Sequence, residues 1–162
     1  MSEHILFHVG EPVKAEPFHY TLCGLDNVYL MNGYCVEETP YGEAVSIKDA
    51  DELHTAIGLN LVQHRKVLSS KEVRFLRKQL ELTQAKLGDL IGQSSQQVAR
   101  WEKDRCAIPG PADRLLRVLF LARQMDDAEL RGLLERLNEI DAPANDERMV
   151  FEATEDGWLE AA

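Results

Sequence analysis

Residues 83–105 read TQAKLGDLIGQSSQQVARWEKDR, and this stretch decides the fold. It divides into two short helices meeting at a glycine turn. Thr83 is placed to cap the first helix, with Leu87, Leu90 and Ile91 as its buried positions at helical spacing. Gly92 ends that helix in the left-handed conformation, where a Cβ is costly. Ser94 then caps the second helix, and Gln97, three residues on, completes a capping box. Plotted at about 100° per residue, Val98 and Trp101 share one side of the second helix. Gln96 and Lys103 lie opposite them, with Ala99 and Arg100 alongside and Ser95 and Gln97 on the flanks. Gln and Arg make paired hydrogen bonds to adenine and guanine edges in the major groove. An apolar rear and a Gln/Arg front are what a DNA-reading helix requires.

On these residues the chain resembles the helix-turn-helix of the Xre/Cro/C1-type DNA-binding family, a five-helix domain that would run from about Val67 to Arg123. The resemblance implies that Gln84, opening the first helix, touches a phosphate. It also implies that Ser95, Gln96 and Gln97 read bases, with Arg100 one turn on. Lys103 and Arg105 complete the residues expected to face DNA, Lys103 as a phosphate contact. A buried Arg–Glu pair common in that family would fall on Arg77 and Glu102. Gly88 departs from the family's usual Ala, at some expense in helix stability.

The formal net charge is −10 over 162 residues, which looks wrong for a nucleic-acid binder until it is divided along the chain. Residues 1–66 hold four Lys/Arg against ten Asp/Glu, and residues 126–162 hold three against twelve. Residues 67–125 hold eleven against six, so the basic charge is confined to the segment that would meet a phosphate backbone. The acidic ends would limit non-specific DNA binding, meet a basic partner, or only maintain solubility. No apolar run reaches membrane-spanning length and no signal peptide opens the chain. Three cysteines, Cys23, Cys35 and Cys106, make no even disulfide set and fit a reducing compartment. A cytoplasmic protein with no membrane association is expected.

Upstream, the signals are of strand type. NVYLMNGYCVEE (27–38) holds two β-rich runs around Asn32-Gly33, a hairpin signal, with Val28, Leu30, Tyr34 and Val36 on the covered face. Tyr41-Gly42 marks another turn before a short strand at Ala44–Ile47. Asp49 and Glu52 form a capping box for a helix through about Gln63, with Leu53, Ala56, Ile57 and Leu61 inward and Gly58 weakening its middle. His54 and His64 are expected in solvent. Ser69 and Glu72 make the next box, followed by Val73, Leu76 and Leu80. Pro111 suits a first helical turn ahead of Leu115, Leu116, Leu119 and Ala122. Asp126 or Asp127 would cap a last helix whose Leu130, Leu133, Leu134 and Leu137 are either core or a dimer seam. Beyond Pro143 the chain is acidic, Met149–Phe151 could pair as an edge strand, and Trp158 should dock on something.

The layout, a β-rich part, a helix, then an Xre-type domain, resembles MqsA-type antitoxins, in which two Cys-x-x-Cys pairs bind structural zinc. Here Cys23 and Cys35 stand twelve apart, with His19 as the nearest extra ligand, and four tetrahedral ligands cannot be assembled. Neither a metal nor a cofactor is expected. No Ser/His/Asp, Cys/His or paired-carboxylate arrangement follows from spacing, and no glycine-rich phosphate loop is present. An enzyme is not expected.

The fold class expected is therefore α+β. A small β-rich N-terminal domain with one helix (1–66) precedes an all-α, lambda-repressor-like helix-turn-helix domain with a C-terminal helix (67–142) and an acidic tail (143–162). The expected function is sequence-specific binding of double-stranded operator DNA by a homodimeric regulator. The alternative is an antitoxin that blocks a toxin protein through its N-terminal domain and autoregulates its operon.

Overall fold

The computed structural model describes residues 5–6, 17–124, 128–129, 132, 136 and 147–161. It divides the chain into two units, Met1–Ala56 with Arg148–Ala162, and Ile57–Glu147. The first contains the seven strands found among the described residues. These are β1 (Ile5–Leu6), β2 (Phe18–His19), β3 (Val28–Leu30), β4 (Tyr34–Thr39), β5 (Gly42–Ile47), β6 (Met149–Thr154) and β7 (Gly157–Glu160). They form a three-stranded sheet, β1-β4-β5, and a four-stranded sheet, β2-β3-β6-β7.

Asn32-Gly33 does not close a hairpin. It turns the chain from one sheet to the other, because β3 pairs with β2 and β6 while β4 pairs with β1 and β5. The reason lies in a distant partner. Asn32 is buried, its Oδ1 accepts from the Ala153 N–H at 2.6 Å and its Nδ2 donates to the Ala153 carbonyl at 3.4 Å. Gly33 stands at φ +75°, and a Cβ there would lie 2.7 Å from the Trp158 ring. The Trp158 indole N–H in turn donates to the Lys48 carbonyl at 2.9 Å. That is where Trp158 docks.

The stretch expected as an acidic tail thus supplies two paired strands. β6 runs parallel to β3, antiparallel to β7 and inside the sheet rather than at its edge. Its alternate residues Met149, Phe151 and Ala153 are buried with Val28 and Leu30, the two-residue period of a half-covered strand. Tyr34 is buried as expected, stacked 4.5 Å from Phe18, whereas Val36 is half-buried.

The two tight hairpins, β4–β5 and β6–β7, use one device, which the sequence repeats as Thr39-Pro-Tyr-Gly42 and Thr154-Glu-Asp-Gly157. The Thr39 hydroxyl donates to the Gly42 carbonyl at 2.7 Å and accepts from the Tyr41 N–H at 3.2 Å. Thr154 repeats this with Gly157 at 2.7 Å and Asp156 at 3.3 Å. A hydroxyl folding back on its own turn is ordinary Thr chemistry.

Helix α1 (Ala50–His64) gives its first residues to the first unit and Ile57–His64 to the second. Asp49 does not build the expected capping box. Its backbone sits at φ +47°, whereas a capping side chain needs an extended residue there. Leu53, Ile57 and Leu61 are buried as expected and Ala56 is half-buried. His54 is not free in solvent: its Nε2 meets the buried Tyr20 hydroxyl at 2.9 Å. Burial lowers its pKa, partly offset by the Asp51 charge. Gly58 has a packing role, since a Cβ would collide with the Phe120 ring.

Four helices, not five, lie within 67–123: α2 (Ser70–Gln79), α3 (Gln84–Ile91), α4 (Ser95–Glu102) and α5 (Gly110–Leu121). The second half of α1 belongs to the same unit. Buried charge ties it in. Arg117, fully buried, pairs with Asp113 at 2.6 Å. It also donates to the carbonyls of Val62, Arg65 and Lys66 at 2.9, 2.6 and 3.2 Å, satisfying acceptors that a helix end leaves open. Asp113 also accepts from the Leu68 N–H at 2.8 Å, and Arg65 pairs with Glu72 at 2.9 Å.

These ties explain why the expected α5 stripe is displaced. Leu116 is buried, but Leu115 and Ala122 are exposed and Leu119 is half-buried. The inward residues are Ala112, Asp113, Leu116, Arg117, Phe120 and Leu121. Leu130, Leu133, Leu134 and Leu137 lie outside the described residues. Among the described residues, no helix is long and apolar enough to cross a membrane.

Candidate nucleic-acid interface

Each helix of the central motif starts where its side-chain chemistry directs. Ser69 accepts from the Glu72 N–H and Glu72 returns the bond, a complete box opening α2. Thr83 accepts from the Lys86 N–H at 3.0 Å, and Gly92 ends α3 at φ +71°. Ser94 accepts from the Gln97 N–H at 3.1 Å. The other half of that box is not made, because the Gln97 amide donates to the Cys106 sulfur at 3.5 Å. In α3 only Leu87 of the three expected core residues is buried, while Ile91 is half-buried and Leu90 is exposed. Gly88 lets the turn fold back, since a Cβ would run into the Gln93 carbonyl.

Val98 and Trp101 are buried at 0 % and 1 % exposure, so the face of α4 that they define points inward. Ser95, Gln96 and Arg100, together with Lys103 and Arg105 just beyond the helix, are exposed. Arg105 is positioned by its N–H, which donates to the Arg100 carbonyl at 2.9 Å.

Glu102 orients the motif from beneath. Arg77 forks onto it, Nε to Oε1 and Nη2 to Oε2 at 3.0 Å, and a further Arg77 nitrogen donates to the Leu82 carbonyl at 2.7 Å. Gln84 Nε2 adds a bond to Oε2 at 2.8 Å. One carboxylate therefore joins α2, the start of α3 and the end of α4. Burial alone would push its pKa up; the Arg77 and Gln84 hydrogen bonds and the Arg77 and Arg74 charges outweigh burial and hold it low. Gln84 keeps one amide hydrogen for a second acceptor such as a phosphate.

Sequence spacing places these residues together on α3 and α4 but gives no account of three partnerships, of which the first is Gln84 with Glu102. Asp113 and Arg117 stand at i, i+4, a visible pairing signal, although an interior position was not. Nothing local announces that Cys106 meets Gln97.

Residues 73–120 match the family model described as helix-turn-helix, of the Xre/C1 type. The matched segment runs from within α2 to within α5 and is a DNA-binding helix-turn-helix domain. No curated protein and no solved structure matches the chain.

Proposed function

We propose that this chain is a sequence-specific regulator of transcription that represses at double-stranded operator DNA as a homodimer. The observation behind this reading is the exposed row Ser95, Gln96 and Arg100 on a helix whose opposite side, Val98 and Trp101, is buried. Gln96 and Arg100 are one turn apart and reach bases of the same half-site, with Gln97 beside them. Lys103, Arg105 and Gln84 hold phosphates. One such unit touches few bases, and two-fold dimers on half-sites about one helical turn apart supply the rest.

Selection of bound sequences from random DNA tests this reading. A palindromic consensus is expected, and recovery of unrelated sequences would overturn it. Against the selected site, Arg100→Ala should relax the preference at one position per half-site, most simply a guanine, by about 1–3 kcal/mol. Lys103→Ala should weaken all sequences alike and reduce the salt slope by about one unit.

A second reading, antitoxin, draws on the charge of the first unit. Its segments hold three Lys/Arg against fourteen Asp/Glu. Glu37, Glu38 and Glu43 are exposed around a Tyr41 that is 100 % exposed at the β4–β5 turn. Such a surface suits a basic toxin. Stable co-purification of a small basic protein would favour this reading, and a homodimer that binds its operator alone would favour the first.

A further inference from the structure

Behind the exposed face of α4 lies a cavity of about 310 Å³, lined in part by Ser69, Ser70, Trp101, Asp104, Cys106 and Ile108. Two observations there are unused by DNA binding. The Trp101 indole N–H is buried and has no hydrogen-bond partner among the described residues, a cost that a buried donor carries until something accepts from it. Cys106 is free and half-exposed, and its sulfur is held by Gln97, which faces DNA in the reading above.

We propose that Cys106 is a thiol-exchange site, and that the cavity takes the small aminothiol group it acquires from a low-molecular-weight disulfide. The volume accommodates an amino-acid-sized substituent. The exposed Asp104 carboxylate suits its ammonium group. The unpartnered Trp101 indole N–H, with the Ser70 hydroxyl, suits its carboxylate. In the reaction the Cys106 thiol releases its proton and the thiolate attacks one sulfur of the disulfide. A new S–S bond forms as the old one breaks, and the departing thiolate takes up a proton as free thiol. Cys106 is oxidised, the small disulfide is reduced to one thiol and one bound half, and dithiothreitol reverses the change.

Substitution on sulfur displaces the Gln97 amide and wedges the 104–108 loop against the end of α4, so DNA binding falls. This last consequence rests on the DNA-binding reading; the site does not.

The test uses the full chain carrying Cys23→Ser and Cys35→Ser, treated with cystine. Peptide mass spectrometry, hydrogen exchange over residues 95–106 and titration with the selected DNA are then compared. An adduct on Cys106 is expected, with faster exchange in α4 and an affinity about tenfold lower, comparable to losing one good base contact. Dithiothreitol should restore both, and adding Cys106→Ser should abolish the response. No adduct at Cys106, or an adduct that leaves α4 exchange unchanged, overturns the proposal. A protein that binds no DNA before treatment removes the proposed function, while an adduct with faster α4 exchange still upholds the site.

Discussion

The two units are held together over very different distances along the chain. In the helical unit the ties are Arg77 to Glu102, 25 residues apart, and Arg117 to the carbonyls of Val62, Arg65 and Lys66, 51 to 55 apart. In the strand unit Asn32 and Ala153 are separated by 121 residues and Trp158 and Lys48 by 110. The helical unit is legible in the sequence because its charges, caps and glycine turn lie close together. The strand unit hides its organisation because half of each decisive pairing lies at the far end of the sequence. Contacts of high sequence separation also require more ordering before they repay it.

Four measurements sharpen or break that contrast, and the protein's two tryptophans help, since Trp101 lies in one unit and Trp158 in the other. The largest effect should come from Arg117→Ala. It strands the Asp113 carboxylate and three carbonyls in the interior, at a cost of about 5 kcal/mol. Urea titration followed by circular dichroism should show the helical unit melting early. A midpoint like that of the parent would mean the clamp is dispensable.

Next comes Glu102→Ala, which leaves Arg77 without its carboxylate at a cost of about 3 kcal/mol. Trp101 sits next to Glu102, so its emission reports the loss directly, and Glu102→Gln should recover part of it. Equal stability of both variants and the parent would remove Glu102 as the organising residue.

Asn32→Ala probes the other unit. It unpairs the Ala153 N–H and carbonyl, at a cost of about 2 kcal/mol. The damage should appear in Trp158 emission, with far smaller change at Trp101 in a Trp158-free control. Matching shifts at both tryptophans would show that the two units do not respond separately.

The smallest effect is a pair of acid transitions. His54 has a depressed folded pKa, so its contribution is complete above its ordinary 6.5 and declines as the pH falls below that. Glu102 is also depressed, so its contribution is complete above its ordinary 4.5 and declines only below it. Between these values the strand unit should weaken first. Denaturation midpoints by each tryptophan across pH 4.5 to 6.5 would show it, and a helical unit that weakened first would reverse the assignment.

The contrast also measures what was legible. Ser69, Thr83, Ser94 and Gly92 are legible because caps are local chemistry. Arg77 and Glu102 followed from a family resemblance. Asn32-Gly33 misled because the same dipeptide serves a hairpin and a corner, and only Ala153 and Trp158 distinguish them. Leu115 and Leu119 misled because a stripe drawn from apolar residues alone cannot include Asp113 and Arg117, whose interior places depend on each other. Gln97 divides between the two: its backbone N–H donates to the Ser94 cap, and its side chain goes to a sulfur.

The position of β6 has a consequence for synthesis. On the ribosome β3 emerges early and must wait with Val28 and Leu30 uncovered while the whole helical unit is made. Its parallel partner follows only after α2 to α5 have come out. The helical unit can close as it emerges, whereas the four-stranded sheet can only be completed once β6 and β7 have followed it. A chain stopped in the 140s would therefore leave a finished DNA-binding fold attached to an open, apolar sheet edge, the form that quality control is built to remove.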